Sequence, residues 1–342
     1  MSRKIFGLIA LTAAIAQIKA PTMFLWDTLI GIEKTERTQK FEVHTKSAGR
    51  IKAPLVSKRE KGVLIEKQAF EVTMYEPPML KIYTINYAEE LFEQGFGQTQ
   101  YDDYTSIAKQ ELAKQLKELK DIAARTKLYM LSTLITTGVC PVEDGKQGIK
   151  YGDFNKEILS GTDAFNDPNC DIIAYLEKKQ LEIQKKTGIV IDTLIVHPDV
   201  TDAIMKNKYV IEYLKMTNAN LFQVNHRVEK TPSGEKLIAF LPKLNMTIYS
   251  YVDWVRNPDE DEEVDLLPSG TIIGVKKGSF SCHYGALAVR SEAGKRATVH
   301  VKKEVVITRY PDDSNDDLIE LNSAPLIMPE DAQGWFCAEV LA

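Results

Sequence analysis

The sequence predicts a mixed α+β fold, and three stretches of the chain carry that prediction. Residues 104–137 contain no proline or glycine, and their apolar side chains recur at helical spacing. At 1.5 Å per residue this stretch would form one helix about 50 Å long. Residues 41–85 are rich in Val, Ile, Tyr, Phe and Thr, as strands are. From residue 171 onward, helical and strand patterns alternate, as in an α/β unit.

The first 40 residues form an apolar arm that turns polar at residues 33–37. Arg3 and Lys4 precede an apolar run, which is the outline of a cleaved signal peptide. Gln17 and Lys19 cut that run short of a membrane span. The same residues equally fit a mature amphipathic helix that ends before a proline. The residues alone leave these two interpretations open.

Residues 41–85 read as a two-stranded ribbon with a turn at residues 58–62. Such a ribbon is only marginally stable alone in water, so we expect it to rest on another surface, such as a second subunit. Its basic residues fit an acidic neighbour, DNA phosphates or a plain exposed loop equally well. These residues are Lys46, Arg50, Lys52, Lys58, Arg59 and Lys61.

The long helix has sequence signals at both ends, and a set of shorter elements follows it. Asp102 and Asp103 suit its amino end, and Gly138 suits its carboxyl end. Residues 138–170 are rich in glycine and predict a loop-rich bridge. The later pattern predicts helices at 171–187 and 198–207. It also predicts strands at 189–196, 237–240, 246–251, 271–275, 297–308 and 335–341.

Composition excludes several classes of protein. Of the 342 residues, 44% are hydrophobic, which is enough to bury a core and excludes global disorder. A net charge of −5 argues against general nucleic-acid binding driven by charge. The four cysteines have no C-x-x-C spacing, so we expect free thiols in a reducing cytoplasm and no zinc site.

No catalytic motif is present in the sequence. The chain lacks a P-loop, a G-x-S-x-G elbow and an H-E-x-x-H helix, and residues 95–97 carry only two glycines of a dinucleotide fingerprint. His197 lies between a buried strand and a helix start, where α/β folds often place function. A histidine in that position is more often a capping or packing residue.

The order of the elements, rather than any motif, resembles a known family. The most specific pieces are PTMFLWDTLI in the arm, NMTIYSYVDW followed by LPSGT, and the terminal SAPLIMPEDAQGWFCAEVLA. Together with the spine-like helix, they resemble the major capsid proteins of lambda-type tailed phages, the capsid protein E family. The resemblance extends from about residue 8 to residue 342.

The resemblance implies the Hong Kong 97-type capsid fold, with an N-terminal arm, an extended β-hairpin loop, a long spine helix and an axial α/β domain. The arm would be residues 1–40 and the extended loop 41–85. The peripheral domain would be 86–150 with 300–342, and the axial domain 151–299. Relatives carry a mature apolar helix in the arm, which favours that interpretation over a signal peptide.

The resemblance also implies a partner set and no cofactor, metal or catalytic residue. Copies would form hexamers and pentamers of an icosahedral shell around double-stranded DNA, bound without sequence specificity. A scaffolding protein, a portal and, in some relatives, a decoration protein would join them in the bacterial cytoplasm, with no role for a membrane. Expected assembly contacts are Phe24, Leu25, Trp26, Leu29, Lys58, Arg59 and Lys61.

Three alternatives stay open beside a shell subunit of a phage or prophage. They are an encapsulin-like nanocompartment, an exported α/β binding protein, and an enzyme with a site around His197. The arm hypothesis also predicts that a chain lacking residues 1–30 folds but does not assemble.

Overall fold

A computed structural model describes most of the chain. The described residues are 8–18, 21–46, 70–86, 104–142, 148–216, 234–256, 263–290, 296–309 and 317–341. Turn residues 58–62 of the ribbon, Asp102 and Asp103 lie outside them.

The described residues contain six α-helices, and the third dominates the molecule. It spans 34 residues, as predicted, and is called the spine helix below. The helices are α1 (Leu8–Gln17), α2 (Phe24–Leu29), α3 (Tyr104–Thr137), α4 (Ile172–Thr187), α5 (Pro198–Lys206) and α6 (Lys208–Met216).

Twenty short strands form seven sheets in the described part of the chain. The first ten are β1 (Ile30–Thr35), β2 (Phe41–Lys46), β3 (Phe70–Tyr75), β4 (Leu80–Asn86), β5 (Val139–Cys140), β6 (Ile149–Lys150), β7 (Asn155–Ile158), β8 (Thr193–Val196), β9 (Glu235–Leu241) and β10 (Met246–Tyr251). The others are β11 (Trp254–Arg256), β12 (Glu263–Asp265), β13 (Thr271–Val275), β14 (Phe280–Tyr284), β15 (Leu287–Val289), β16 (Thr298–His300), β17 (Val305–Arg309), β18 (Asp317–Ser323), β19 (Pro325–Pro329) and β20 (Phe336–Glu339).

A six-stranded mixed sheet, in the order β7-β20-β13-β8-β10-β9, separates two cores. Side chains on one face, such as Ile195 and Ile273, join a core formed with α2 and the carboxyl half of the spine helix. Those on the other face, such as Leu194 and Ile272, join a second core with α4, α5 and α6. Because both faces are covered, β8 and β13 are buried along their whole length.

Two three-stranded sheets connect the arm and the spine helix to the rest of the molecule. Strand β1 of the arm pairs in parallel with β14, which pairs with β19. Strands β17, β18 and β4 form the other sheet, so β4 is not part of the two-stranded ribbon predicted for residues 41–85, in which β2 and β3 pair. The inner face of this sheet packs on the amino half of the spine helix. Helix α1 lies against the same half and closes this third core.

Local sequence signals explain several element ends. The Asp171 side chain accepts a hydrogen bond from the backbone N–H of Ala174, 3.0 Å away, and so begins α4. Gly188 ends α4 with a φ of 79°, and Gly138 ends the spine helix with a φ of 76°. Both backbone conformations are left-handed, which only glycine adopts without strain.

Most of the predicted elements are present with small differences in their bounds. The predicted strand 297–308 is two strands, β16 and β17, divided by residues 301–304. The predicted strand 189–196 is shorter, because regular pairing begins only at Thr193. Helices α2 and α6 were missed. The missed strands are β1, β5, β6, β7, β11, β12, β14, β15, β18 and β19. The terminal strand β20 pairs with β13 and β7 inside the six-stranded sheet.

Candidate assembly surfaces

The second part of the arm, residues 24–36, is built into the body of the subunit; we call it the strap. Its helix α2 is apolar and short, and four of its side chains are at most 9% exposed. The Phe24 ring lies 5.0 Å from that of Tyr249 and 5.6 Å from that of Tyr251, between centroids. The buried residues are Phe24, Leu25, Trp26 and Leu29. The strap is therefore part of the main core.

A polar junction connects the strap to the body, with Glu33 at its centre. The Trp26 indole N–H donates to Glu33 Oε1 over 2.9 Å. Lys303 Nζ and the Tyr284 hydroxyl both donate to Glu33 Oε2. A second pair follows along β1, where His283 Nδ1 lies 2.8 Å from Glu36 Oε1. The arm supplies the carboxylates of these pairs, and the body supplies the basic side chains.

Lys127 of the spine helix is buried beside this junction. Its Nζ lies 3.1 Å from Glu304 Oε1, and both side chains are 11% exposed. The same ammonium group lies 5.8 Å from the ring centroid of Trp26 and 5.6 Å from that of Tyr284. A cation near aromatic faces gains additional electrostatic stabilisation when water is excluded. Lys127 thus joins the strap, β14 and the spine helix at one point.

The surroundings of Glu33 favour its charged form. Burial alone would raise the pKa of this carboxyl group. The hydrogen bonds from Lys303 and Trp26, together with the positive charges of Lys303 and Lys127, outweigh burial and lower the pKa. Glu33 is consequently ionised through the physiological range, and the junction is intact there.

Helix α1, the first part of the arm, packs at a separate site on the subunit. Leu11 and Ile15 are each 1% exposed and pack on the amino half of the spine helix. Thr12 Oγ1 accepts from the backbone N–H of Val306 at 3.3 Å and lies 3.4 Å from its carbonyl oxygen. Lys120 Nζ donates a hydrogen bond to the carbonyl oxygen of Ile15 over 2.8 Å, and another to that of Ile18. A lysine thereby caps the carboxyl end of α1.

The base of the ribbon also rests on the body. The Tyr75 and Tyr151 rings lie 5.3 Å apart, and the backbone N–H of Ala286 donates to Thr38 O over 3.1 Å. Any Cβ added to Gly285 would lie 2.6 Å from Pro77 Cγ, so the close approach requires glycine. Lys58, Arg59 and Lys61 lie outside the described residues.

The placement of α2 changes one expectation from the sequence. The four arm residues expected as assembly contacts are covered by their own chain, and their role in assembly stays a prediction. A chain lacking residues 1–30 would lose all four from the main core, so we no longer expect it to fold. Within the arm, the boundary lies between α1, which packs in the third core, and α2, which packs in the main core.

Other apolar side chains face solvent and were missed by sequence reasoning. Eight large ones in the described residues are more than half exposed. They are Ile32, Met74, Met79, Tyr83, Ile158, Leu237, Trp254 and Val299. Successive side chains of a strand point to opposite faces, so Tyr83 and the half-buried Ile82 lie on opposite faces of β4. This alternation alone does not show which of the two faces is covered.

His197 is a capping residue in this structure. Its Nδ1 lies 3.5 Å from the backbone nitrogen of Asp199 and 3.0 Å from Asp199 Oδ2. The Ser269 hydroxyl donates to Asp199 Oδ2 over 2.5 Å. That hydrogen bond, followed by the proximity of His197, lowers the pKa of Asp199. The carboxylate stands between the serine and the histidine, so these residues lack the serine–histidine contact of a nucleophilic triad.

The cysteines are buried free thiols, as expected. Burial raises the pKa of Cys140 to about 11 and those of Cys282 and Cys337 to about 12, so these thiols are unreactive at neutral pH. Among the described residues no group of three or more side chains could hold a metal ion. No helix in the described part of the chain is long and apolar enough to cross a membrane.

Comparisons with solved structures agree with this architecture. A capsid protein of a prophage from E. coli CFT073 superposes with a TM-score of 0.65 at 14% identity, covering 98% of this chain and 99% of that one. A phage-related protein from Bordetella bronchiseptica RB50 gives 0.56 at 10% identity, covering 98% and 97%. The capsid of Ralstonia phage GP4 gives 0.51 at 11% identity, covering 95% and 92%. These similarities establish the Hong Kong 97-type fold.

The sequence comparisons identify the family. No curated protein matches the sequence. The model of the family described as phage major capsid protein E matches residues 7–340, nearly the whole chain. The chain therefore belongs to the phage major capsid protein E family, the major capsid proteins of tailed phages.

Proposed function

We propose that copies of this protein form the hexamers and pentamers of an icosahedral shell that encloses double-stranded DNA. The observation that carries this proposal is the family match over residues 7–340. The described residues add a consistent physical picture, because exposed apolar side chains lie on several separate elements. Many small contacts of this kind add through multivalency into a closed assembly.

We also propose the division into parts that the sequence suggested, with two changes. The arm is residues 1–40, the extended loop 41–79 and the peripheral domain 80–150 with 300–335, because β4 pairs with β18 in the sheet beside the spine helix. The axial domain is 151–299 together with the terminal strand β20, since β20 lies between β7 and β13 in the six-stranded sheet.

The proposed partners follow from the proposed shell. A scaffolding protein guides assembly in the host cytoplasm, a portal occupies one vertex, and a decoration protein joins in some shells. The net charge of −5 suits a container that holds DNA without gripping it. An encapsulin-like compartment, an exported binding protein and an enzyme are not favoured by the family match.

Electron microscopy of the purified protein, with and without a co-expressed scaffolding protein, tests the proposal. Regular shells, or rings of five and six copies, are the expected result. A monodisperse monomer under both conditions would contradict it. Neutralising Lys58, Arg59 and Lys61 together should lower shell yield more than monomer stability. Neutralising Lys236 and Lys243, which lie far along the chain from the ribbon, provides the control.

A further inference from the structure

We propose that the β11–β12 hairpin of one copy docks on the β15–β16 hairpin of a second copy. We call the first the acidic hairpin and the second, with the cations that border it, the basic hairpin. This inference rests on the proposed function, since it names surfaces through which two copies of a shell subunit meet. The occupant of each surface is the other hairpin of a neighbouring copy.

The acidic hairpin presents one large aromatic ring among carboxylates. Val255 packs on the main core, so Trp254 lies on the opposite face of β11, where it is 53% exposed. Trp254 is directly opposite Asp265, and Arg256 is directly opposite Glu263. Side chains in such cross-strand positions share a face of the hairpin. Neither Glu263 nor Asp265 forms an ion pair with another described residue.

The basic hairpin presents the opposite charge beside a small apolar surface. Leu287 and Val289 of β15 are buried in the core beneath the hairpin, so the directly paired Ala288 and Val299 point away from that core. Val299 is 66% exposed. Three exposed cations border the two strands, and none of them forms an ion pair with another described residue. They are Arg290, Arg296 and Lys302.

The two hairpins are complementary in charge and lie on different cores of the subunit. Along the sequence, residues 253–265 contain seven acidic residues and one basic residue, whereas residues 290–303 contain five basic residues and one acidic residue. The acidic hairpin packs on the main core, and the basic hairpin packs on a separate, smaller one. Because Trp254 and Val299 are both more than half exposed, each surface is open to a hairpin of another copy.

Docking places the indole ring of Trp254 on the apolar surface of Ala288 and Val299, with cations around the ring. A buried aromatic anchor inside a polar rim is the usual anatomy of a protein interface. An arginine beside the ring adds a cation–π contact. Since the two surfaces differ, the contact is heterologous, so it passes from copy to copy and closes into a ring where the rotation permits. The rim charges make the contact weaker at high salt.

Charge reversal tests the pairing of the two hairpins. Arg290→Glu with Arg296→Glu should lower shell yield at least tenfold, because like charges then face each other. Glu263→Lys with Asp265→Lys should have the same effect for the same reason. One chain that carries all four changes restores opposite charges and should recover at least half of the yield. Electron microscopy and sedimentation of the purified protein measure the yield.

A matched pair of reversals on another surface provides the control. Lys178→Glu with Lys185→Glu, on the exposed side of α4, changes the net charge as much as the arginine pair does and should leave the yield unchanged. Double variants that assemble normally, or a fourfold variant that assembles no better than the double ones, would overturn the pairing. The second result would leave DNA or another protein as the partner of the basic hairpin.

An interchain disulfide locates the contact independently and keeps Trp254 and Val299 in place. One chain carries Asp265→Cys and a second, tagged chain carries Ala288→Cys; both are co-expressed and their shells are purified. Docking predicts an interchain crosslink at least tenfold above that of either single variant alone. The pair Asp265→Cys and Val190→Cys, whose second position is also exposed, should give only that background. The native cysteines are buried, which limits their contribution.

Shells that form normally from the two cysteine chains but show no interchain crosslink would overturn the docking while leaving the shell function intact. Absence of any shell from the unmodified chain would instead count against the proposed function.

Discussion

The two halves of the spine helix differ in how they are buried. Residues 124–137 include nine buried positions out of 14, and residues 111–123 include four out of 13. The carboxyl half is also held by polar contacts: the hydroxyl of Ser132 donates to Leu266 O, and the Trp335 indole N–H donates to Ile135 O over 3.2 Å. The amino half presents a single apolar stripe to α1 and one sheet.

One continuous helix therefore belongs to two environments that bury it to different extents. The carboxyl half is surrounded by α2, by the six-stranded sheet and by the β1–β14–β19 sheet. The amino half depends for part of its cover on a ten-residue helix that is attached by a short segment. The difference indicates that the carboxyl half is the main anchor of the subunit, whereas the amino half is buried along one stripe only.

The largest effect is expected from a charge on the buried stripe of the amino half. Leu116 is 2% exposed, so Leu116→Asp buries an unpaired carboxylate and should unfold the subunit. Circular dichroism with thermal melting measures the loss. The adjacent, exposed Lys117→Asp is the control and should melt near the unmodified protein. A cooperative melt of Leu116→Asp within a few degrees of the unmodified protein would show that this stripe is not a core.

The loss of stability on truncating a buried leucine should differ between the two halves of the spine helix. Leu134→Ala in the carboxyl half should cost about 4 kcal/mol, and Leu119→Ala in the amino half about 2 kcal/mol, because α1 can shift to fill the second cavity. Both leucines are at most 3% exposed. Urea unfolding of the two variants measures the costs. Equal losses would show that the two halves are equally well packed.

The buried cation between the strap and the spine helix gives an intermediate effect. Lys127→Met leaves Glu304 without its ion-pair partner and should lower the free energy of unfolding by about 3 kcal/mol. The double variant Lys127→Met with Glu304→Gln should recover most of that loss. A double variant that is no more stable than the single one would show that the two side chains are not energetically coupled.

The pH dependence of stability should report on Glu33. Its pKa is lower in the folded chain than its ordinary value of 4.5, so its contribution is present above that value. The contribution disappears as the pH falls through the lowered pKa. Glu33→Gln should therefore cost about 1 kcal/mol from pH 5 to 8 and progressively less below pH 4.5.

Urea unfolding of the unmodified chain and of Glu33→Gln across this range measures the difference, with the exposed Glu118→Gln as control. A cost that stays constant down to pH 3 would contradict an ionised Glu33 in the junction.

The smallest effect should come from the exposed face of the amino half. Lys114 Nζ lies 2.7 Å from Glu111 Oε1, and both side chains are well exposed. Surface pairs of this kind contribute little, so Lys114→Ala should change stability by less than about 0.5 kcal/mol. Thermal melting at low and high salt checks this value. A loss above 1 kcal/mol would mean that the face is covered in the folded chain.

Local signals made the regular elements predictable. Helical spacing without glycine or proline predicted the spine helix, and Asp171 and Gly188 marked the ends of α4, because these signals act within a few residues. The missed elements lack such signals. Helix α2 has only six residues, and four of the six residues of β1 are exposed without the strict alternation of a strand, so both depend on partners far along the chain.

The sequence by itself determined the spine helix, the strand-rich ribbon, the α/β unit and the resemblance to tailed-phage capsid proteins, since these follow from periodicity and the order of elements. Only the tertiary structure decided that α2 is core rather than a free arm, that Lys127 lies beside Trp26, and that Glu33 pairs with Lys303. It also placed the terminal strand within the six-stranded sheet. Burial and ion pairing between residues hundreds of positions apart depend on the whole fold, which no local pattern records.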